Sequence, residues 1–176
     1  MSAAVRNLGV IFDCHMSMNN NITKICQTAN FYLRKVSLLK RYLTQNSRHT
    51  LIQSLVVSRI DYASALLAGV PDAQFRRLQR VLNHAARIIT SSSSRDHIMP
   101  ILSRLHWLPV KQRVIFKIVC FVYKALHEVA PLYLSQLLDP YRLSRALRSM
   151  DDTTLLSVPC TRSTTMGDRA FSRRVA

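Results

Sequence analysis

DAQFRRLQRVLNHAARIIT, residues 72–90, decides what kind of chain this is. Phe75, Leu78, Leu82, Ala85 and Ile89 recur at three- and four-residue intervals, which puts them on one side of an α-helix. Arg76, Arg77, Arg80, His84 and Arg87 fall on the other side. A strand would scatter both sets over its two faces. The stretch therefore predicts an amphipathic helix, with Asp72 as its N-cap and its end at Thr90.

The flanking sequence continues in the same manner. Ile22, Ile25, Ala29, Leu33, Val36 and Leu39 predict a helix from about Met18 to Leu43. A second helix follows Asn46 and Ser47, both good caps. Leu51, Leu55, Ser58, Tyr62 and Leu66 line one of its sides, and Ile52, Val56, Val57 and Ile60 make it apolar nearly all round, as expected of a central, buried helix. Gly69-Val70-Pro71-Asp72 punctuates the chain before the 72–90 helix. Beyond it, Ser91 to Ser94 reads as a linker and Asp96 as the cap of a short helix through Leu105. Pro109 suits the first turn of a helix to about Val129, and Pro131 opens a last short helix to Leu138.

Before the first helix, residues 5–13 read as one strand, rich in Val, Ile and Phe. A strand needs a neighbour for its backbone groups, either the C-terminal tail or a sheet lying upstream. The fold expected is mainly α: a bundle of five to six helices, one N-terminal β-strand remnant and an irregular basic tail. The divisions are 1–17 for the strand remnant, 18–90 for a thumb-like bundle, 91–140 for a later helical region and 141–176 for the tail, which carries Arg142, Arg145 and Arg148 and weak strand signals at Leu155 to Val158.

Composition narrows the chemistry. The 176 residues include 25 Lys and Arg against 9 Asp and Glu, a net charge of +16, and Glu128 is the one glutamate. Such a balance attracts polyanions, and the excess of arginine over lysine favours bidentate phosphate contacts. Three glycines exclude a glycine-rich phosphate loop. Cys14, Cys26, Cys120 and Cys160 lack metal-site spacing and read as free thiols of an intracellular protein, nuclear or cytoplasmic. The Val114 to Leu126 stretch is too short, and too interrupted by Lys117 and Lys124, to span a bilayer.

Several motifs, in order, resemble the region that follows the polymerase palm in non-LTR (LINE-type) retrotransposon reverse transcriptases of the jockey and chicken-repeat kind. Leu8 to Asp13 is similar to the Leu-Gly-Val strand that closes the palm near the primer grip. Ser58-Arg59-Ile60-Asp61-Tyr62-Ala63 resembles a Ser-x-Leu-Asp-Tyr-Cys segment, with Ala63 in place of Cys. Leu78 to Arg87 resembles Leu-Gln-x-x-Gln-Asn-x-Ala-Ala-Arg, with Leu82 in place of Gln. Leu105-His106-Trp107-Leu108-Pro109-Val110 is the most specific likeness; Ala130 to Leu134, Leu147 to Ser149 and Arg169 to Ser172 follow. The resemblance implies a helical thumb packed along a primer–template duplex, with both ends of the chain cut from a longer element. Mg²⁺ would belong to the parent polymerase and no cofactor to this chain. The stretch from Leu8 to about Leu43 also resembles the leading segment of an iron- and 2-oxoglutarate-dependent tRNA-modifying enzyme. That chemistry needs a His-x-Asp pair, which the sequence lacks.

The candidate nucleic-acid-binding residues are Arg76, Arg77, Arg80 and Arg87 on the 72–90 helix and Lys24, Arg34, Lys35, Lys40 and Arg41 on the first. Each would meet a phosphate of an RNA–DNA duplex, giving affinity without sequence choice. No catalytic and no metal-binding residue is assigned. Asp151 and Asp152 resemble a polymerase metal pair, but no apolar strand precedes them and they follow the Leu-Gly-Val strand, so they read as solvated aspartates in a turn. Trp107 reads as a core anchor at a helix junction rather than a base-stacking platform, and Tyr62 as a core residue whose hydroxyl reaches a partner. The competing expectation is a helical interaction module that binds the missing palm or a second copy through apolar faces; a membrane surface ranks below both.

Overall fold

A Leu-Gly dipeptide opens the fold. In the computed structural model, which describes residues 4–139, 156–160 and 171, Leu8 (φ 46°) and Gly9 (φ 84°) both occupy the left-handed region. Two successive positive φ values make the tight turn of a two-residue hairpin. Strand β1 (Ala4–Asn7) therefore folds back antiparallel on β2 (Val10–Asp13), with Asn7 opposite Val10 and Ala4 opposite Asp13. The single strand expected over 5–13 is thus two, and it supplies its own partner instead of using the tail or an upstream sheet. Leucine rarely adopts φ > 0, so Leu8 carries no turn signal. The Tyr62 hydroxyl donates to the Leu8 carbonyl at 2.6 Å and holds the turn.

Asp13 accepts hydrogen bonds from the Ser17 backbone N–H and hydroxyl at the entry to α1 (Asn19–Leu39). The Ser17 hydroxyl is the main reason that the Asp13 carboxyl lies below its ordinary 3.8. Asn21 then accepts the Ile11 N–H at 3.3 Å, which docks β2 on the helix. Ile22, Ala29, Leu33 and Val36 are buried along one side of α1, as their spacing predicts, and Cys26 joins them, whereas Ile25 is only half-buried. The helix ends at Leu39, which is exposed.

The next helix is capped by Thr44, whose hydroxyl accepts the Ser47 N–H at 3.2 Å, so Asn46 and Ser47 lie inside its first turn. It runs as α2 (Gln45–Ile52), a π-helical turn (Gln53–Val57) and α3 (Ser58–Asp61). The wider π turn lets Ile52, Val56, Val57 and Ile60 all point inward while Gln53, Ser54, Ser58 and Arg59 stay exposed. The helix is amphipathic, not buried all round. It stops where Tyr62 turns extended and Ala63 takes φ 50°. Tyr62 therefore leaves the core, 58% exposed, although its hydroxyl does find a partner. Leu66 falls in a 3₁₀ turn, Ser64–Leu67.

Helix α4 (Asp72–Thr90) buries Phe75, Leu78, Leu82, Ala85 and Ile89, and with them Val81, Ala86 and Ile88. Its N-cap is Pro71; Asp72 is the first helical residue and pairs with Lys111 at 3.0 Å. At the other end Arg48 donates to the Ile88 carbonyl (2.9 Å) and the Ser91 hydroxyl (2.7 Å), satisfying an orphan acceptor of the last turn. Asp96 accepts the Ser93 N–H at 2.7 Å and so closes the linker turn, leaving His97 to precede α5 (Ile98–Arg104).

Trp107 is buried at the junction, with the His49 ring 6.1 Å away and the Arg113 guanidinium 5.7 Å over its ring. Helix α6 (Val110–Leu126) begins where the Val110 N–H donates to Gln79 of α4 at 2.8 Å. Arg113 then ties Asp61 (2.8 Å) and the Leu108 carbonyl (2.8 Å) together.

These contacts explain why the first compact unit is Met1–Val114 and reaches past residue 90, where the sequence suggests a boundary. The second unit is Ile115–Ala176. In it the rest of α6 ends where the Val129 and Ala130 N–H groups share the Lys124 carbonyl, and α7 (Leu132–Ser135) follows. The Ser135 hydroxyl donates to the Ala125 carbonyl at 3.0 Å. Ser157 donates its N–H to the Asp139 carbonyl at 2.8 Å. Arg142, Arg145, Arg148, Asp151, Asp152 and most of the tail lie outside the described residues.

Leu82 is fully covered and Leu38 is 74% exposed. Urea unfolding should give Leu82→Ala a loss of about 2–5 kcal/mol and Leu38→Ala a change within about 0.5 kcal/mol.

Candidate nucleic-acid interface

Arg76, Arg80 and His84 stand one helical turn apart on the exposed side of α4. The Arg76 and Arg80 side chains have no hydrogen bond or ion pair with a described residue. Asp72, the one carboxylate on this helix, is turned to Lys111. Two guanidinium groups are thus presented on a rigid helix without internal neutralisation.

Arg77 and Arg87 behave differently. Arg77 donates to Gln74 (2.9 Å) and to the Thr23 hydroxyl of α1 (2.8 Å), so it sits in the seam between the helices. Arg87 donates to the Ser93 and Asp96 carbonyls, both at 3.2 Å, and holds the linker against the helix. Both are half-buried. Their first role is to fix the surface from which Arg76 and Arg80 project.

Of the five candidates from the first helix, three divide between two flanks and two lie at or beyond its C-terminal end. Thr23 marks the flank of α1 that faces α4, and Arg34, eleven residues on, returns to the same flank after three turns. Arg34 therefore extends the α4 surface. Arg41 is exposed beyond the helix, and Lys40 is its half-buried C-cap. Lys24 and Lys35, also eleven apart, share the flank toward the hairpin; Lys35 places its ammonium 5.6 Å over the Phe31 ring. Arg6 and Arg59, which no pattern in the sequence singles out, stand near Lys24 around a cleft. No spacing rule links them, because β1, α1 and α3 each contribute one.

His84 belongs to the arginine face but adds little charge. Burial, and secondarily the Arg87 cation, hold its imidazole below the ordinary 6.5. It is mainly neutral at pH 7, where Arg76 and Arg80 carry the positive potential. Cys26 is buried beneath the seam, and burial raises its thiol above 9.0 despite the opposing pull of Arg77. Among the described residues no group of three or more His, Cys, Asp or Glu is placed to hold a metal ion, and no helix is long and apolar enough to cross a membrane.

Comparison with known protein families, with curated proteins and with solved structures finds no match to this chain.

NMR titration should give His84 a midpoint below 6.5, and Arg87→Gln should restore only part of the shift because burial is the larger cause. A His held neutral by folding stabilises fully above its unfolded value and loses that contribution as pH falls through its folded value. Stability should therefore decline as the medium is acidified below about pH 6.5, and His84→Gln should flatten that decline.

Proposed function

We propose that this chain grips the sugar–phosphate backbone of a nucleic-acid duplex through the α4 arginine face, as the thumb-like, post-palm part of a non-LTR retrotransposon reverse transcriptase. The observation that carries this reading is the exposed pair Arg76 and Arg80, free of internal acceptors on a helix whose other arginines are spent on holding it in place. Arg34 on the neighbouring flank and the net charge of +16 support it. Phosphates on the rim of a duplex lie within reach of such a face whatever the base sequence, so the contact positions the duplex and does not read it. In this reading the chain has no polymerase activity of its own, holds no cofactor, and works inside the cell; nucleotidyl transfer on Mg²⁺ belongs to the parent's palm.

A second reading has one observation in its favour. Ile115, Phe116, Val119 and Tyr123 of α6 are each more than half exposed. Apolar exposure of this kind suits a protein-interaction module.

Binding of a labelled RNA–DNA duplex, titrated with salt, separates the two. Backbone grip predicts a steep loss of affinity with salt, and a slope shallower by roughly 2 in log–log terms when Arg76 and Arg80 are both replaced by Ala. Salt-insensitive self-association without duplex binding would support the interaction module instead.

A further inference from the structure

The hairpin leaves a cleft of about 470 Å³ against the helices, a size that suits a small ligand. Arg6 of β1, Lys24 of α1 and Arg59 of α3 line it, and no carboxylate does. None of the three forms an ion pair with a described residue. The Arg59 guanidinium lies 5.3 Å over the Tyr32 ring, which orients the cation without neutralising it.

Like charges gathered at one place cost energy until something negative spans them. The described chain supplies nothing negative here. Val10, Ile11 and Ile25 add apolar wall, which keeps the local potential from being screened as it would be on an open surface. The walls are also fixed in place. Tyr62 bonds the hairpin turn through the Leu8 carbonyl, and Asn21 bonds β2 through the Ile11 N–H. The hydroxyls of Thr28 and Ser58 line the same space and can supply neutral donors.

We infer that this cleft binds a compact polyphosphate, of the pyrophosphate or tripolyphosphate class, independently of the α4 arginine face. Three cations from three separate elements match several adjacent negative charges on one small body better than a single phosphate, which would leave part of the repulsion in place.

Isothermal titration of the full chain with inorganic tripolyphosphate, pyrophosphate and orthophosphate at constant ionic strength tests the site. Tripolyphosphate should bind more tightly than orthophosphate, and Lys24→Ala and Arg59→Ala should each weaken it about tenfold or more. Arg76→Ala with Arg80→Ala should leave it unchanged. Lys24 is exposed on a helix, where alanine is well tolerated, so its variant carries the test if Arg59→Ala fails to fold. Absence of binding, or equal weakening by the α4 substitutions, would overturn the proposal. So would duplex binding that depends on Lys24 and Arg59 and is not displaced by tripolyphosphate, because a nucleic-acid strand would then be the occupant.

Discussion

Ile22, Ala29 and Leu33 on α1 and Leu78, Leu82 and Ala85 on α4 are all fully covered, and the rest of the first unit hangs on the seam these two helices make. Burying side chains of leucine size contributes about 1.5–3 kcal/mol each. Polar contacts then set how the helices lie. Asn19 meets Gln74 and Thr23 meets Arg77 at their N-terminal ends, and Arg48, arriving just after α1, takes the Ile88 carbonyl at the far end of α4. The two helices thus run in the same sense. The hairpin docks on this pair through Asn21 and Tyr62, and α6 begins against it through Gln79. Without the seam, none of the charged side chains discussed above would have a fixed position.

The charge distribution follows from the same arrangement. Two of the acids around α4 and α6 are already paired with α6 cations: Asp61 with Arg113, and Asp72 with Lys111. Arg77 and Arg87 turn into the structure and bond neutral acceptors. What is left facing solvent is a positive field with little to offset it. Such a surface costs self-repulsion in the folded chain, and a polyanion relieves that cost on binding. Hydrophobic burial along the seam is what allows the fold to carry it.

Much of this was legible in the residues. The 3.6-residue period of α1 and α4 marked most of the buried side chains, because both helices are long and their polar faces are wet; it failed at Leu39, which is exposed at the end of α1, and at Ile25, which is half-buried. What escaped was local geometry. The turn at Leu8 and Gly9 lacks the Asn-Gly or Asp-Gly signature, so one strand was expected where there are two. The π turn at Gln53–Val57 breaks the helical period, so a run of Ile and Val looked apolar on every side when it points one way. Asp72 and Asp96 have the chemistry of helix caps, yet the one forms an ion pair and the other closes a turn. At the candidate site the arginine stripe on α4 was visible from spacing, but the diversion of Arg77 and Arg87 was not. Their acceptors, Thr23 and the Ser93 and Asp96 carbonyls, lie on other segments and have no periodic relation to them. Arg6, Lys24 and Arg59 are brought together by tertiary packing alone.

The α1–α4 pair is proposed to present a surface for phosphates. Backbone amide shifts of the isotope-labelled full chain, followed by NMR as a short RNA–DNA duplex is added, test it residue by residue. The account predicts perturbations concentrated on Arg34, Arg76, Arg80 and His84, with Ile115 to Leu126 unmoved. Perturbations confined to Ile115 to Leu126, or none at saturating duplex, would contradict it.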